Sequence, residues 1–217
     1  MTGVYGFQDP ATTANAYNTL EFVIKQLQGR VQTISLVRVE ACSNSGGLSP
    51  VGTVDMTVLA NLMTGNRKSV PHGVLTGRPY LRIQGGQNAV IIDPQKGDLG
   101  LAVFCSRDSS AVIAAKGPAN PGSLRQFDWA DGLYLGGFLN DTPTQYVRFS
   151  STGIELVSPT EITLQAPTIS IQGSSSVVIN SPANTIAGGH TSIDGKMFLP
   201  HFHGGVQTGG GNSGPVA

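Results

Sequence analysis

Near the start of the chain, apolar residues recur at helical spacing. Within residues 12–29 they are three or four positions apart, which indicates an amphipathic helix. Thr13 or Asn15 is suited to cap its first turn, and Gly29 stands where a C-terminal cap falls. A helix this short usually needs a surface to dock on, so we expect its apolar stripe to face the rest of the chain or a neighbouring subunit. The stripe consists of Tyr17, Leu20, Val23, Ile24 and Leu27.

After this helix the apolar pattern shortens to the period of two that is typical of strands. Such runs, separated by Gly and Pro turns, occupy residues 31–39, 53–59, 81–83, 89–92 and 99–105. Short strands at this density predict a small closed barrel of the oligonucleotide/oligosaccharide-binding (OB) type over residues 30–115. A small β-sandwich fits the same pattern almost as well.

Residues 116–144 are rich in Gly and Pro, so we interpret them as a connector, and the run 125–132 within them shows no strand alternation. The run 125–132 contains the single Trp129 and is interpreted as an ordered loop held by its aromatic residues. Asp128 and Asp131 in this run could together bind a cation. Turn-forming or helix-capping roles are the commoner use of such aspartates.

A repeated β pattern occupies residues 145–196. A strand opens at Tyr146, and triplets with apolar first and third residues then recur about every seven to eight residues, each followed by a turn. The triplets are residues 154–156, 162–164, 169–171 and 177–179. Each unit is too short to bury its apolar face alone. Three chains that wind together would bury these faces on a common axis, and a single-chain β-solenoid is the alternative.

Two histidines mark residues 197–217, the last stretch of the chain. His201 and His203 flank Phe202, and in an extended strand their imidazoles point to the same side. Two ligands do not complete a metal site. Three copies about a threefold axis would supply six imidazoles, which suits an octahedral transition metal such as iron better than zinc. A pair without any metal role, and a contribution from His190, both stay open at this point.

Composition narrows the classes of function. The formal net charge is zero and charged residues are only 12% of the chain, which argues against a protein that binds nucleic-acid phosphates. Two cysteines, Cys42 and Cys105, do not make a disulfide scaffold, and we expect free buried thiols. The N-terminus lacks the pattern of a signal peptide, and no apolar run approaches the length of a membrane span. We therefore expect a soluble protein synthesised in the cytoplasm.

Together these features resemble the central membrane-piercing spike of contractile-tail bacteriophage baseplates, a family related to the spikes of type VI secretion and of contractile bacteriocins. The resemblance covers most of the chain. It is carried by residues 96–104, the aspartate-containing segment 127–132, the β-triplets, and the terminal segment 201–205 with its two histidines.

The resemblance implies a mainly β fold, with an N-terminal OB-fold-like barrel followed by a trimeric intertwined β-helix needle. It implies a homotrimer that docks on baseplate hub and tail tube proteins at the tip of the virion tail and pierces the host outer membrane mechanically. His201 and His203 would then hold one iron ion per trimer. The expected organisation is an N-terminal arm and helix (1–29), a barrel (30–115), a connector (116–144), a β-helix (145–196) and a metal-binding apex (197–217).

Other functions fit the sequence less well. A glycan-degrading tail protein needs two carboxylates at a fixed separation, and Glu155 and Glu161 are the only pair in the repeats. A catalytic metal at the histidine pair would need a nearby base, and Asp194 is the sole acid close to it. We therefore predict that the chain is not an enzyme, with a glycan-degrading or receptor-binding tail protein as the alternative. A nucleic-acid-binding or sugar-binding barrel would show interleaved Arg and aromatic residues, which are lacking.

Overall fold

A computed structural model describes residues 14–64, 68–188 and 191–197. The protein is mainly β, as the sequence predicts, and its largest element is a curled half-barrel sheet. The chain divides into two compact units, Met1–Leu156 and Val157–Ala217.

The helices are short and lie in the first unit. Helix α1 spans Ala16–Gln28, as predicted, and Asn15 caps it by accepting a hydrogen bond from the Asn18 amide at 2.9 Å. At its other end the Gly29 amide donates to the Lys25 carbonyl at 3.0 Å. Helix α2 spans Ser110–Ala115, and a single 3-10 turn covers Trp129–Asp131.

Strands account for most of the remaining regular structure. In chain order they are β1 Ile34–Cys42, β2 Thr53–Val58, β3 Leu62–Met63, β4 Ser69–Val70, β5 Val74–Pro79, β6 Ile83–Gly85, β7 Asn88–Val90, β8 Leu99–Phe104, β9 Gly132–Gly137, β10 Tyr146–Ser150, β11 Gly153–Val157, β12 Ser192–Ile193 and β13 Lys196–Met197.

Five of these strands form one sheet in the order β5-β2-β1-β8-β9. Strands β1, β2 and β5 pair in succession along the chain, and β8 then returns to pair with β1. These four strands therefore make a Greek key. The two edges approach each other through a parallel bridge between Tyr80 and Tyr134. The Leu81 amide reinforces this bridge by donating to the Tyr134 carbonyl at 2.7 Å. The core thus lies inside one curled sheet and not between two stacked sheets.

The core consists of residues from the inner face of this sheet. Strand β2 alternates regularly, so that its second, fourth and sixth residues are buried while the others face outward. The same alternation in β1 and β8 brings aliphatic and aromatic side chains into one cluster. The buried members are Val37, Val39, Val54, Met56, Val58, Tyr80, Ala102, Phe104 and Tyr134.

Strand β9 lies within residues 116–144, which the sequence indicated to be a connector, so the sheet extends beyond the range 30–115 that was expected to hold the barrel. The alternation is masked because Tyr134 is buried while its neighbours Leu133 and Leu135, which face the other side, are also apolar. Gly132 at the start of β9 allows close packing. A Cβ there would lie 3.0 Å from Phe104 Cε1 and 3.1 Å from the Met56 Cε.

The C-terminal part has a different character. Strands β10 and β11 pair as a hairpin, which confirms the predicted strand at Tyr146 and the first triplet. Residues 158–188 contain no strand. Strands β12 and β13 form a short hairpin whose turn residues, Asp194 and Gly195, both have positive φ (51° and 72°), as a type I′ turn requires.

Both cysteines are free, as predicted. Cys42 packs partly buried against the core. Cys105 is exposed, contrary to the expected burial, because it lies one residue beyond the end of β8. No helix in the described part of the chain is both long enough and apolar enough to cross a membrane.

Candidate functional site

The most unusual surface of the molecule is formed by the triplets that follow β11. The apolar side chains at their first and third positions face solvent in the single chain, with exposed fractions between 47% for Ile162 and 74% for Ile179. Exposed aliphatic side chains in such regular succession indicate an interaction surface. We call this set the triplet surface; its members are Ile162, Leu164, Ile169, Ile171, Val177 and Ile179.

The backbone of the triplet surface also lacks strand partners. Over residues 158–188 no strand pairs with another part of the described chain. Peptide groups in an extended segment need hydrogen-bond partners, which either water or another strand can supply. The triplet surface therefore offers both unpaired backbone groups and unburied side chains.

Two of the turns that follow triplets, the first and the last, have the same structure. After the first triplet, Ser158 accepts a hydrogen bond from the Thr160 amide at 3.3 Å across Pro159. After the last, Ser181 accepts one from the Ala183 amide at the same 3.3 Å across Pro182. Such serine turns fix a local bend without help from the rest of the chain.

This geometry weighs against the single-chain solenoid. The coils of a solenoid stack on one another, and each buries its apolar face against the next coil. The triplets of this chain do not stack, and their aliphatic side chains stay exposed.

The β10–β11 hairpin has the same two-sided construction as the triplets. On one face Arg148 Nη2 and Glu155 Oε1 form an ion pair at 2.6 Å. The alternate residues are exposed and apolar: Val147, Phe149, Ile154 and Leu156. Glu155 therefore has a cross-strand partner, and Glu161, the other acid of the repeats, accepts a hydrogen bond from Thr163 at 3.2 Å. Each acid is satisfied locally at the surface.

A charged cluster fixes the long loop between β8 and β9. Arg125 Nε lies 2.7 Å from Asp131 Oδ2, and its Nη2 lies 2.6 Å from Asp108 Oδ1. Asp131 also accepts from the Ser109 amide at 2.8 Å. Asp128 accepts from the Ala130 amide at 2.8 Å and so caps the 3-10 turn. The capping interpretation of Asp128 is thus confirmed, and Asp131 is an ion-pair partner in place of a cation ligand.

Hydrogen bonds keep the acids of this cluster ionised. Those from the Ser110 and Ser123 hydroxyls lower the pKa of Asp108 to about 2, and burial opposes them only in part. The hydrogen bond from Arg125 is the main cause that lowers the pKa of Asp131. Both carboxylates are therefore charged at neutral pH, and their ion pairs with Arg125 hold the loop in place.

A second buried cluster, which the sequence did not reveal, fixes the loop between β1 and β2. Arg82 and Asp93 form an ion pair, and Asp93 also accepts from the Tyr80 hydroxyl at 2.6 Å and from the Gly46 amide at 2.8 Å. Arg82 donates in turn to the Ser49 carbonyl at 2.7 Å. Burial alone would raise the pKa of Asp93, but the bonds from Tyr80 and Arg82 lower it overall. The only sequence signal was an arginine between two apolar residues.

The predicted metal ligands, His201 and His203, lie outside the described residues, as does His190. His72 packs edge-on against Trp129, with 4.8 Å between ring centroids, and burial lowers its pKa. Over residues 14–64, 68–188 and 191–197 no three His, Cys, Asp or Glu side chains are grouped in a way that could hold a metal ion. The iron site at the apex thus stays a prediction from the sequence.

Comparison with known proteins adds no further constraint. No protein-family model matches the chain, and no curated protein matches it. Function is therefore inferred from the chain's own residues, above all from the triplet surface.

Proposed function

We propose that this chain is one subunit of a homotrimeric spike at the tip of a contractile phage tail, and that the spike pierces the host outer membrane mechanically. The observation that carries the proposal is the triplet surface, whose aliphatic side chains are exposed and whose backbone has no strand partner. When three copies wind around one axis, these side chains become buried and the backbone groups gain strand partners.

The energetics favour such an assembly. Full burial of a Val, Leu or Ile side chain contributes roughly 1.5–3 kcal/mol. The triplet surface offers six such side chains per chain, and three chains bring together three times that set. A continuous core with its backbone bonds closed around the axis leaves no long strand edge exposed, and it resists buckling under axial load.

The first unit would serve as the docking base of the spike. The Greek key and the Tyr80–Tyr134 bridge support an OB-fold-like barrel, because that fold is a five-stranded, partly open Greek-key barrel. Its outer face carries exposed Ile34 and Leu36, which are paired across the sheet with Val103 and Leu101. An apolar outer face suits contact with hub and tail tube proteins.

At the narrow apex there is little volume for an apolar core, and the proposed iron would take its place. His201 and His203 of each chain would supply the six imidazoles. When bound, the metal ties three chains at one point, so its binding free energy becomes free energy of assembly. We place the protein accordingly in the virion, at the tip of the tail baseplate.

The test is the native mass of the protein together with its metal content. We expect a trimer with about one iron per three chains. The double variant His201→Ala/His203→Ala should lose the metal while the barrel stays folded. A metal-free monomer would contradict the proposal, and unchanged metal content in the variant would contradict the ligand assignment.

An assay for enzymatic cleavage separates the mechanical function from its alternative. The purified trimer is incubated with lipopolysaccharide and with peptidoglycan, and the products are analysed by mass. We expect no cleavage above that of a heat-denatured sample. Reproducible cleavage would replace the mechanical function by that of a glycan-degrading tail protein.

A further inference from the structure

Helix α1 presents most of its apolar residues to solvent. Tyr17, Leu20, Ile24 and Leu27 are spaced by three, four and three residues, and their exposed fractions lie between 44% and 74%. This spacing is that of the a and d positions of a heptad, the narrow seam of a coiled coil. No residue of α1 is buried. The helix therefore has a complete seam, and within the described chain nothing covers that seam.

The charges of α1 are compatible with association between identical copies. The charged side chains of the helix are Glu21 and Lys25, which form an i,i+4 ion pair with each other. The helix is therefore locally neutral, and parallel copies would not repel one another. A helix adapted to an unlike partner of opposite charge would be expected to carry unbalanced charge beside its seam.

We propose that α1 packs against α1 of the two other copies as a short parallel three-helix coiled coil. This inference rests on the proposed homotrimer. A helix of 13 residues is marginal on its own, so the association depends on the rest of the trimer to hold the three helices close together. Rotational symmetry makes the three copies parallel. Ile at a and Leu at d do not select three strands by themselves, and the body of the trimer sets the number.

The arrangement gives the trimer a second apolar contact, at the opposite end of the sequence from the apex. Tyr17 and Ile24 of each copy would occupy the a layers, and Leu20 and Leu27 the d layers. The half-buried Phe22 and Gln26 lie away from this seam. Positions 24 and 26 therefore make a matched pair for a proximity experiment.

Disulfide cross-linking tests the arrangement. In a full-length background with Cys42→Ala and Cys105→Ser, the variants Ile24→Cys and Gln26→Cys are oxidised under native conditions and analysed on a denaturing gel. Three equivalent cysteines on an axis pair only two at a time, so we expect up to about two thirds of the Ile24→Cys chains to become covalent dimers. We expect several-fold less cross-linking for Gln26→Cys. Leu20→Cys should behave like Ile24→Cys.

The native mass of each variant separates failure of this inference from failure of the proposed function. A trimer without cross-links at position 24, or with equal cross-linking at 24 and 26, would overturn the coiled coil and leave the spike proposal standing. A monomeric mass would overturn both. A trimer that cross-links at positions 20 and 24 but weakly at 26 would support the inference.

Discussion

The half-barrel sheet, called the barrel below, and the triplet surface use the same alternation of apolar and polar residues but reach opposite burial. In β2, Val54 and Met56 are 1% and 0% exposed, whereas in the triplets Ile169 and Ile171 are 51% and 68% exposed. The difference lies in the neighbours and not in the residues. Strand β2 has β1 on one side and β5 on the other, while the triplets have no strand beside them in the described chain.

The comparison teaches that alternation of apolar and polar residues does not by itself bring a strand partner to the segment that carries it. A strand whose partners follow in the same chain is completed during folding of that chain. A strand whose partners are other chains is completed only by association, and its stability then depends on protein concentration. The two regions should therefore respond differently to substitution.

The largest effect is expected from charges in the triplet surface. Ile169→Asp together with Ile171→Asp would place six carboxylates in the proposed common core, where unpaired buried charge is very costly. We expect the native mass to fall from that of three chains to that of one, while the barrel keeps its near-ultraviolet circular dichroism. Ser170→Asp, between the two on the opposite face, should stay trimeric. If both variants keep the parent mass, the triplets do not form the core.

A large but local effect is expected from a cavity in the barrel. Met56 is fully buried, and its Cε lies near the Gly132 backbone. Met56→Ala should lower the free energy of unfolding of the barrel by about 2–5 kcal/mol, measured by denaturant titration. The exposed Thr76→Ala is the control and should change it by less than about 0.5 kcal/mol. If Met56→Ala dissociated the trimer at denaturant concentrations where the barrel is still folded, the barrel and the triplet surface would not be independent.

The sequence was sufficient where local pattern and tertiary contact agree. Helix α1 with its Asn15 cap and strands β1, β2 and β8 were all predictable, because each has a capping residue or an apolar period that survives in the folded chain. Strand β9 was not, since apolar residues on both of its faces hide the period.

The charged clusters could not be predicted from the sequence, for a different reason. Arg125 and Asp108 are 17 residues apart, and Arg82 and Asp93 are 11 apart, so only the folded loops bring them together. For the candidate site, the exposed triplets were predictable from their repeat, because no intrachain contact overrides it. The metal site depends on residues beyond the described part, so the histidine pair stays a prediction.

A moderate effect, confined to the barrel, is expected from acid. The pKa of Asp108 is lowered to about 2 from 3.8, and that of Asp131 is also lowered. Such groups add stability above the unfolded pKa, near pH 4, and that stability is lost as the pH falls through the folded value. Thermal unfolding of the barrel should therefore move to lower temperature between about pH 4 and pH 2. Asp108→Asn should be less stable at pH 7 and should show a shallower decline over this interval.

The exposed Asp141→Asn is the control for the acid experiment. It should retain both the stability of the parent at neutral pH and the slope of its decline. If the unfolding temperature of Asp108→Asn declined with pH as steeply as that of the parent, the charged cluster around Arg125 would not govern the acid sensitivity of the barrel.

The smallest effect is expected at the cap of α1, and it shows to which of the two regions the helix belongs. Asn15→Ala removes the bond to the Asn18 amide and should cost about 1 kcal/mol, while Asn15→Ser should keep most of the capping. Because α1 has no buried residue, hydrogen exchange should quicken about fivefold in the α1 amides and remain unchanged in β1, β2 and β8. Equal acceleration in these strands would make α1 part of the cooperative unit of the barrel. Acceleration in α1 alone would group the helix with the triplet surface, among the parts of the molecule that the proposed trimer would complete.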